Sequence, residues 1–210
     1  MPETYHLFNR VHFHTLIQRF RFSFAKFILE VLIQRFPDEP QYYEFLLIIA
    51  AMEHSPEELI RLHKVIQEKF PGTAIECLAN GLYPGVKINL ARDFLHAGIR
   101  LDPNNAYVYY FLSSTYLDLN DYNKSLEYAD ECLKVDPSFY LALLLRMTCH
   151  KKLGNFNDYL SDALSALCYI ENLNGLYVVD SIIDEFNKHK TLRKNFLIPP
   201  SGIIPEMPTF

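Results

Sequence analysis

The sequence predicts an all-α fold: a solenoid of about five helix–turn–helix repeats, closed by a C-terminal capping helix. Three observations carry this. Pro37, Pro71, Pro103 and Pro137 stand 34, 32 and 34 residues apart, each just after an amphipathic stretch. A period of roughly 20–50 residues marks a repeat architecture, and about 34 fits one helix pair with its turns. Between the prolines, apolar residues recur at i, i+3, i+4 and i+7, which is one face of a helix. Strand-like alternation is absent, and only seven glycines occur among 210 residues.

The clearest unit runs from Ala106 to Pro137. Tyr109, Leu112, Ser113 and Tyr116 form the stripe of its first helix. Asn120 and Asp121 end that helix, because short polar side chains compete for backbone hydrogen bonds. Tyr122, Leu126, Ala129 and Leu133 form the second stripe. Ser125 and Cys132 are small and stand where two helices can approach closely. Asp136-Pro137 stops the unit, since the residue before proline avoids the α region. Applied along the chain, the same reasoning places ten helices at roughly 4–19, 22–36, 40–53, 56–70, 73–83, 86–101, 105–118, 122–135, 139–152 and 156–170. The first unit is the least regular, with Phe22, Ala25, Leu29 and Leu32 on its second helix and His12 at an apolar position of its first.

The unit at 106–137 resembles a tetratricopeptide repeat, whose pattern is W-x2-L-G-x2-Y, then A-x3-F, then P. Tyr109, Leu112, Ser113, Tyr116, Ser125 and Pro137 stand at those positions, while Ala129 replaces the large aromatic. The next unit has Gly154-Asn155-Phe156 at its turn, then Ala163 and Ala166. The unit before has Ile75, Leu78, Ala79 and Leu82, then Ala91, Leu95, Gly98 and Leu101-Asp102-Pro103. The resemblance covers residues 5–171 as five repeats and implies a right-handed superhelix. Leu176, Val179, Ile183 and Phe186 then predict a capping helix near 175–190, with Asp180, Asp184, Glu185 and Lys188 on its outer face. A solenoid needs such a cap to cover its exposed core. The expected organisation is one domain over 1–190 and a Pro-rich extended tail over 191–210. The tail holds Phe196, Leu197, Ile198, Ile203 and Ile204 among prolines. It is expected either to dock in the groove or to bind another protein.

Composition narrows the function. Half the residues are apolar and 14% are aromatic, enough for a packed core. Net charge is −5, with +3 on residues 1–36 and −8 on the rest. Acidity of this kind disfavours nucleic acid, which needs clustered Lys and Arg. The sequence shows no basic-then-apolar leader and no run of 18 apolar residues, so neither a signal sequence nor an integral membrane segment is expected. Cys77, Cys132, Cys149 and Cys168 show no C-x-x-C spacing and read as helix-packing residues in a reducing, cytoplasmic setting. No phosphate-binding glycine loop, metalloprotease helix or nucleophile elbow occurs. His12 and His14, two apart on a helix, point away from one another and cannot share a metal. No enzyme activity, metal or cofactor is expected.

The resemblance implies a binding function. In the family, the first helix of each repeat lines a concave groove for a peptide or protein. The second, fifth, ninth and twelfth positions supply the contacts. Here those are Tyr107, Tyr110, Ser114 and Leu117 from the fourth unit, and Leu141, Leu144, Thr148 and Lys151 from the fifth. Glu76 and Asn80 come from the third unit, and Gln41, Glu44 and Ile48 from the second. The Lys/Asn pair with which some members clamp a C-terminal carboxylate is missing from every unit. The expected function is a scaffold or adaptor, with a dedicated chaperone for an apolar client segment as the alternative. A second surface is suggested by residues 19–36, which are basic and aromatic. There Phe20, Phe24 and Phe27 lie partly off the inward stripe, and either pack in the core or offer a partner or self-association surface.

Overall fold

The computed structural model describes Phe13 and residues 22–167. The expected helix at 4–19, apart from Phe13, the capping helix, Cys168, Phe20 and the tail lie outside the described residues. Among the described residues there are nine α-helices and no strand: α1 (Phe22–Arg35), α2 (Pro40–Met52), α3 (Pro56–Lys69), α4 (Ala74–Gly81), α5 (Ile88–Leu101), α6 (Ala106–Asp118), α7 (Tyr122–Val135), α8 (Tyr140–Leu153) and α9 (Phe156–Leu167). Each packs against its sequence neighbours, and α6 also touches α8. This is the nearest-neighbour pattern of a solenoid.

The turn chemistry repeats with the period. His54, Asn120 and Gly154 stand at the same place in units two, four and five, and all three are left-handed, with φ of 52°, 59° and 76°. Each is followed by the same closing bond: Ser55 N–H to Ala50 O, Asp121 N–H to Tyr116 O, and Asn155 N–H to His150 O, at 3.0, 3.0 and 2.9 Å. This bond satisfies a carbonyl that the helix end would leave unpaired. Asp121 also caps α7, its carboxylate accepting from the Lys124 N–H at 3.2 Å. At the other end of each pair, Asp102 and Asp136 adopt extended ψ before their prolines. Their carboxylates accept from Asn104 N–H and Ser138 N–H, at 3.1 and 2.9 Å.

Small residues set the helix spacing. Ser113 and Ser125 are fully buried where α6 crosses α7, and each hydroxyl donates to the other residue's carbonyl, at 2.8 and 2.9 Å. The Cys132 thiol donates to Ala106 O at 3.2 Å, and burial pushes its pKa far up, so it is a packing residue. A Cβ built on Gly98 would stand 3.3 Å from Val108 Cγ1 and 3.5 Å from Cys77 Cβ, so α4, α5 and α6 approach closely there.

The largest departure from the expected helices is at unit three. Its first helix, α4, covers only eight residues, Ala74–Gly81, where 73–83 was expected. Pro84-Gly85 stops it early, with Gly85 at φ 83°. At about 1.5 Å per residue, α4 spans about 12 Å, against roughly 20 Å for α2 or α6. Units two and four meet beside its N-terminal turn, where Glu44 and Asn105 line one pocket with Thr73, Ala74 and Ile75. There the Asn105 side-chain amide donates to the Glu44 carboxylate, and both residues are buried.

Candidate partner-binding face

The first helices α2, α4, α6 and α8 carry every position that the resemblance assigns to the groove. Those positions differ sharply in exposure along the chain. On α2, all nine residues from Tyr42 to Ala50 are buried, Glu44 and Ile48 among them. A helix apolar on every side is a helix covered on every side. Part of the cover is Phe13, itself fully buried. Its ring stacks on Phe45 with centroids 4.1 Å apart and an interplanar angle of 10°, and meets Tyr107 edge-on at 5.9 Å.

Tyr107 is therefore not an accessible groove residue. It is 2% exposed, and its ring also packs edge-on against Phe139 at 5.0 Å. The remaining positions of unit four stay reachable. Tyr110, Ser114 and Leu117 are half-buried. The Tyr110 ring leans on Phe139 at 5.4 Å and Phe111 at 5.1 Å, and burial pushes its phenol up to about 12. In unit five, Leu141, Leu144 and Thr148 are half-buried as well. The Thr148 hydroxyl donates to Leu144 O at 2.8 Å, so it is spent within α8. Lys151 is exposed and holds its ammonium 5.8 Å over the Tyr159 ring. The accessible part of this face is thus a strip of phenol, aliphatic and small hydroxyl groups. Tyr140 beside it is buried, with a hydroxyl that has no hydrogen-bond partner among the described residues.

The opposite side of α8 is ionic. Arg146 donates Nε and Nη2 to the two Asp162 oxygens at 3.1 and 2.6 Å, and Nη1 to Asp130 at 2.7 Å, joining α7, α8 and α9. Asp162 is 3% exposed. Burial raises its pKa while the guanidinium pulls it down, with a net rise. The periodic reading had no means of finding this cluster, because its three members sit on three helices at positions the repeat pattern leaves open.

Phe24 and Phe27 of α1 are 53% and 62% exposed, and Val31 is 50%. They form a stripe at i, i+3 and i+7. Among the described residues no group of three or more His, Cys, Asp or Glu could hold a metal ion. No described helix is long and apolar enough to cross a membrane.

Residues 107–155 match the family model described as the Fis1 C-terminal tetratricopeptide repeat. No curated protein matches the sequence. Among solved structures, the chain is similar to one in the APC/C hetero-tetramer Cut9-Hcn1, with a TM-score of 0.71 at 17% identity over 80% of this chain. It spans only 32% of that chain's length. It is also similar to Pseudomonas aeruginosa pilF, with a TM-score of 0.54 at 16% identity, covering 85% of this chain and 83% of that one. A third likeness is to the Arabidopsis OM64 TPR domain, with a TM-score of 0.50 at 20% identity, covering 54% of this chain and 96% of that one. Identities this low speak to the fold. With the recurrent turns, the small residues at the crossings and the repeat matched over residues 107–155, they show a helical solenoid with the fold of tetratricopeptide-repeat structures.

Proposed function

We propose that the chain is a non-enzymatic, cytoplasmic scaffold or adaptor that holds a segment of a protein partner on the first-helix face of units four and five. The observation that carries this is the contrast in exposure. The equivalent face of α2 is filled, whereas Tyr110, Leu117, Leu141 and Leu144 are only partly buried. Aromatic anchors in such strips commonly dominate binding, at roughly 2 kcal/mol or more on truncation. An apolar or weakly basic segment suits the lining, which offers no cluster of positive charge. The test is a pull-down with the wild-type chain and with Tyr110→Ala/Leu144→Ala. The paired variant should keep its helical circular dichroism and lose the partner. Retention of the partner by the folded variant places the site elsewhere. One stoichiometric client in the pull-down favours the dedicated-chaperone form of this function, and several members of one assembly favour the adaptor.

A second reading concerns α1. Its outward positions carry Phe24, Phe27 and Val31, where α7 carries Lys124, Glu127 and Glu131 and α9 carries Asp158, Ser161 and Ser165. An apolar stripe where α7 and α9 are polar supports self-association through this helix. Sedimentation of Phe24→Glu/Phe27→Glu against wild type tests it. A concentration-dependent mass in the wild type that disappears in the variant is expected, and identical monomers in both would remove the reading.

A further inference from the structure

We infer that Phe45 and Tyr107, with Phe139 behind them, form an aromatic-side-chain receptor on the inner face, and that Phe13 occupies it as the chain's own stand-in for a partner's aromatic anchor. The inference rests on the reading that the inner face is where a partner binds, and it adds what that partner presents.

The geometry carries three steps. First, the receptor is assembled from two units that are not neighbours. Phe45 belongs to unit two and Tyr107 to unit four, and the Phe13 ring touches both. The buried amide–carboxylate contact between Asn105 and Glu44, 61 residues apart, holds the two sides in register. A solenoid core needs contacts only between adjacent units. A ring bridging units two and four therefore adds something the stack does not require.

Second, the ring in the receptor arrives from outside units two to five. Phe13 lies N-terminal to α1 and is fully buried. Its two neighbours grip it in the two favoured aromatic geometries, one stacked and one edge-on. Phe139 extends the row, edge-on to Tyr107 and tilted against Tyr110. The row thus runs without a break from the filled receptor to Tyr110, the half-exposed residue at the centre of the proposed partner strip.

Third, occupancy by a tethered group suppresses binding of an untethered one in proportion to the time the receptor is filled. A partner whose segment lies along Tyr110 and Leu144 and presents an aromatic side chain toward Tyr107 gains its anchor only by displacing Phe13. A partner without such a side chain has no quarrel with Phe13.

The experiment uses the full chain and a labelled peptide copying residues 8–18, Phe8 to Gln18. Fluorescence anisotropy should show the peptide binding the Phe13→Ala chain about tenfold more tightly than wild type, as expected if the native ring fills the receptor about nine-tenths of the time. The same peptide with its own phenylalanine at position 13 replaced by alanine should bind neither chain. Equal affinity for the two chains, or no affinity for a folded Phe13→Ala chain, overturns the inference. Should Phe13→Ala lose its helical signal, Phe13→Trp decides. The sequence contains no Trp, so this residue would be the sole indole emitter. Its emission should be blue in the free chain and shift red as peptide is added in excess. Emission that stays blue under that excess overturns the inference. The two proposals fail separately. Loss of the partner in Tyr110→Ala/Leu144→Ala, with no receptor opened in Phe13→Ala, leaves the partner strip standing and removes the receptor. An opened receptor with an unaffected partner does the reverse.

Discussion

The described core falls into two parts that hold themselves together differently. The larger runs from Phe13 through α2 and α6 to Ala142 and is almost wholly apolar and aromatic. The smaller lies between α8 and α9, from Tyr140 to Ala166, with Tyr159 at its centre. The larger part closes over its inner face at α2 and leaves it half open at Tyr110 and Leu117 of α6, and the smaller leaves that face half open at Leu144 and relies on the Arg146–Asp162–Asp130 cluster on its other side. The difference teaches where this solenoid can bind. A first helix surrounded by its own chain contributes stability and little surface, whereas one covered on fewer sides, as α6 and α8 are, can leave its front apolar and accessible.

The sharpest way to break the comparison is to truncate one side chain on each front. Phe45 is fully buried, and Phe45→Ala removes its transfer free energy, leaves a cavity under Phe13 and should cost about 4 kcal/mol. Leu144 is half-exposed, and Leu144→Ala should cost only about 1 kcal/mol. Denaturant titrations of the two variants check this. Equal losses would mean that α8 is as enclosed as α2 and that the partner strip does not exist.

A somewhat smaller effect tests what pins the smaller core. Arg146→Met strands the Asp162 carboxylate in the interior and should destabilise by about 3 kcal/mol. Arg146→Met/Asp162→Leu should recover most of that, because removing both charges also removes the desolvation cost of each. If the double variant is as unstable as the single one, the cluster acts through something other than charge, and the account of the smaller core is wrong.

Much of this architecture was legible in the sequence, for reasons that mark where legibility ends. Asn120, Gly154 and the Asp-Pro pairs are local instructions, and each helix end follows from one or two residues. α3, α6 and α7 accordingly end within a residue or two of expectation. What the sequence concealed is non-local. Nothing in the spacing announces that Glu44 of unit two reaches Asn105 of unit four. The resemblance placed Tyr107 in the groove because its position in the repeat is a groove position. It is buried, with Phe13, 94 residues earlier in the chain, edge-on against it and Phe139 on it as well. Period arguments describe a unit and its neighbours and are blind to a contact that skips a unit. The Arg146 cluster was missed for a related reason, since salt bridges between helices leave no periodic trace.

The smallest effect is a pH dependence lodged in the larger core. His96 of α5 shares a hydrogen bond with the Tyr116 hydroxyl at 3.2 Å and packs edge-on against Tyr128 at 5.6 Å. Burial lowers its pKa first, and Arg92, Arg100 and Lys124 lower it further, against the opposing pull of Asp93. The neutral ring is therefore the form that the folded chain prefers. The unfolded chain binds a proton at His96 at higher pH than the folded chain does. Stability from this site is complete above the ordinary histidine value of about 6.5 and is lost as pH falls from there toward the depressed folded value. The melting temperature of the wild type should drop between pH 7 and pH 5. His96→Gln, which keeps a hydrogen-bonding group for Tyr116 but cannot titrate, should drop less over the same interval. The two cores should respond unequally, because Tyr116 and Tyr128 belong to the larger and Tyr159 to the smaller. Amide exchange should therefore quicken in α5, α6 and α7 on acidification before it does in α9. If His96→Gln follows the wild-type curve, the pH response originates elsewhere, and the larger core is as indifferent to acid as its apolar composition alone would suggest.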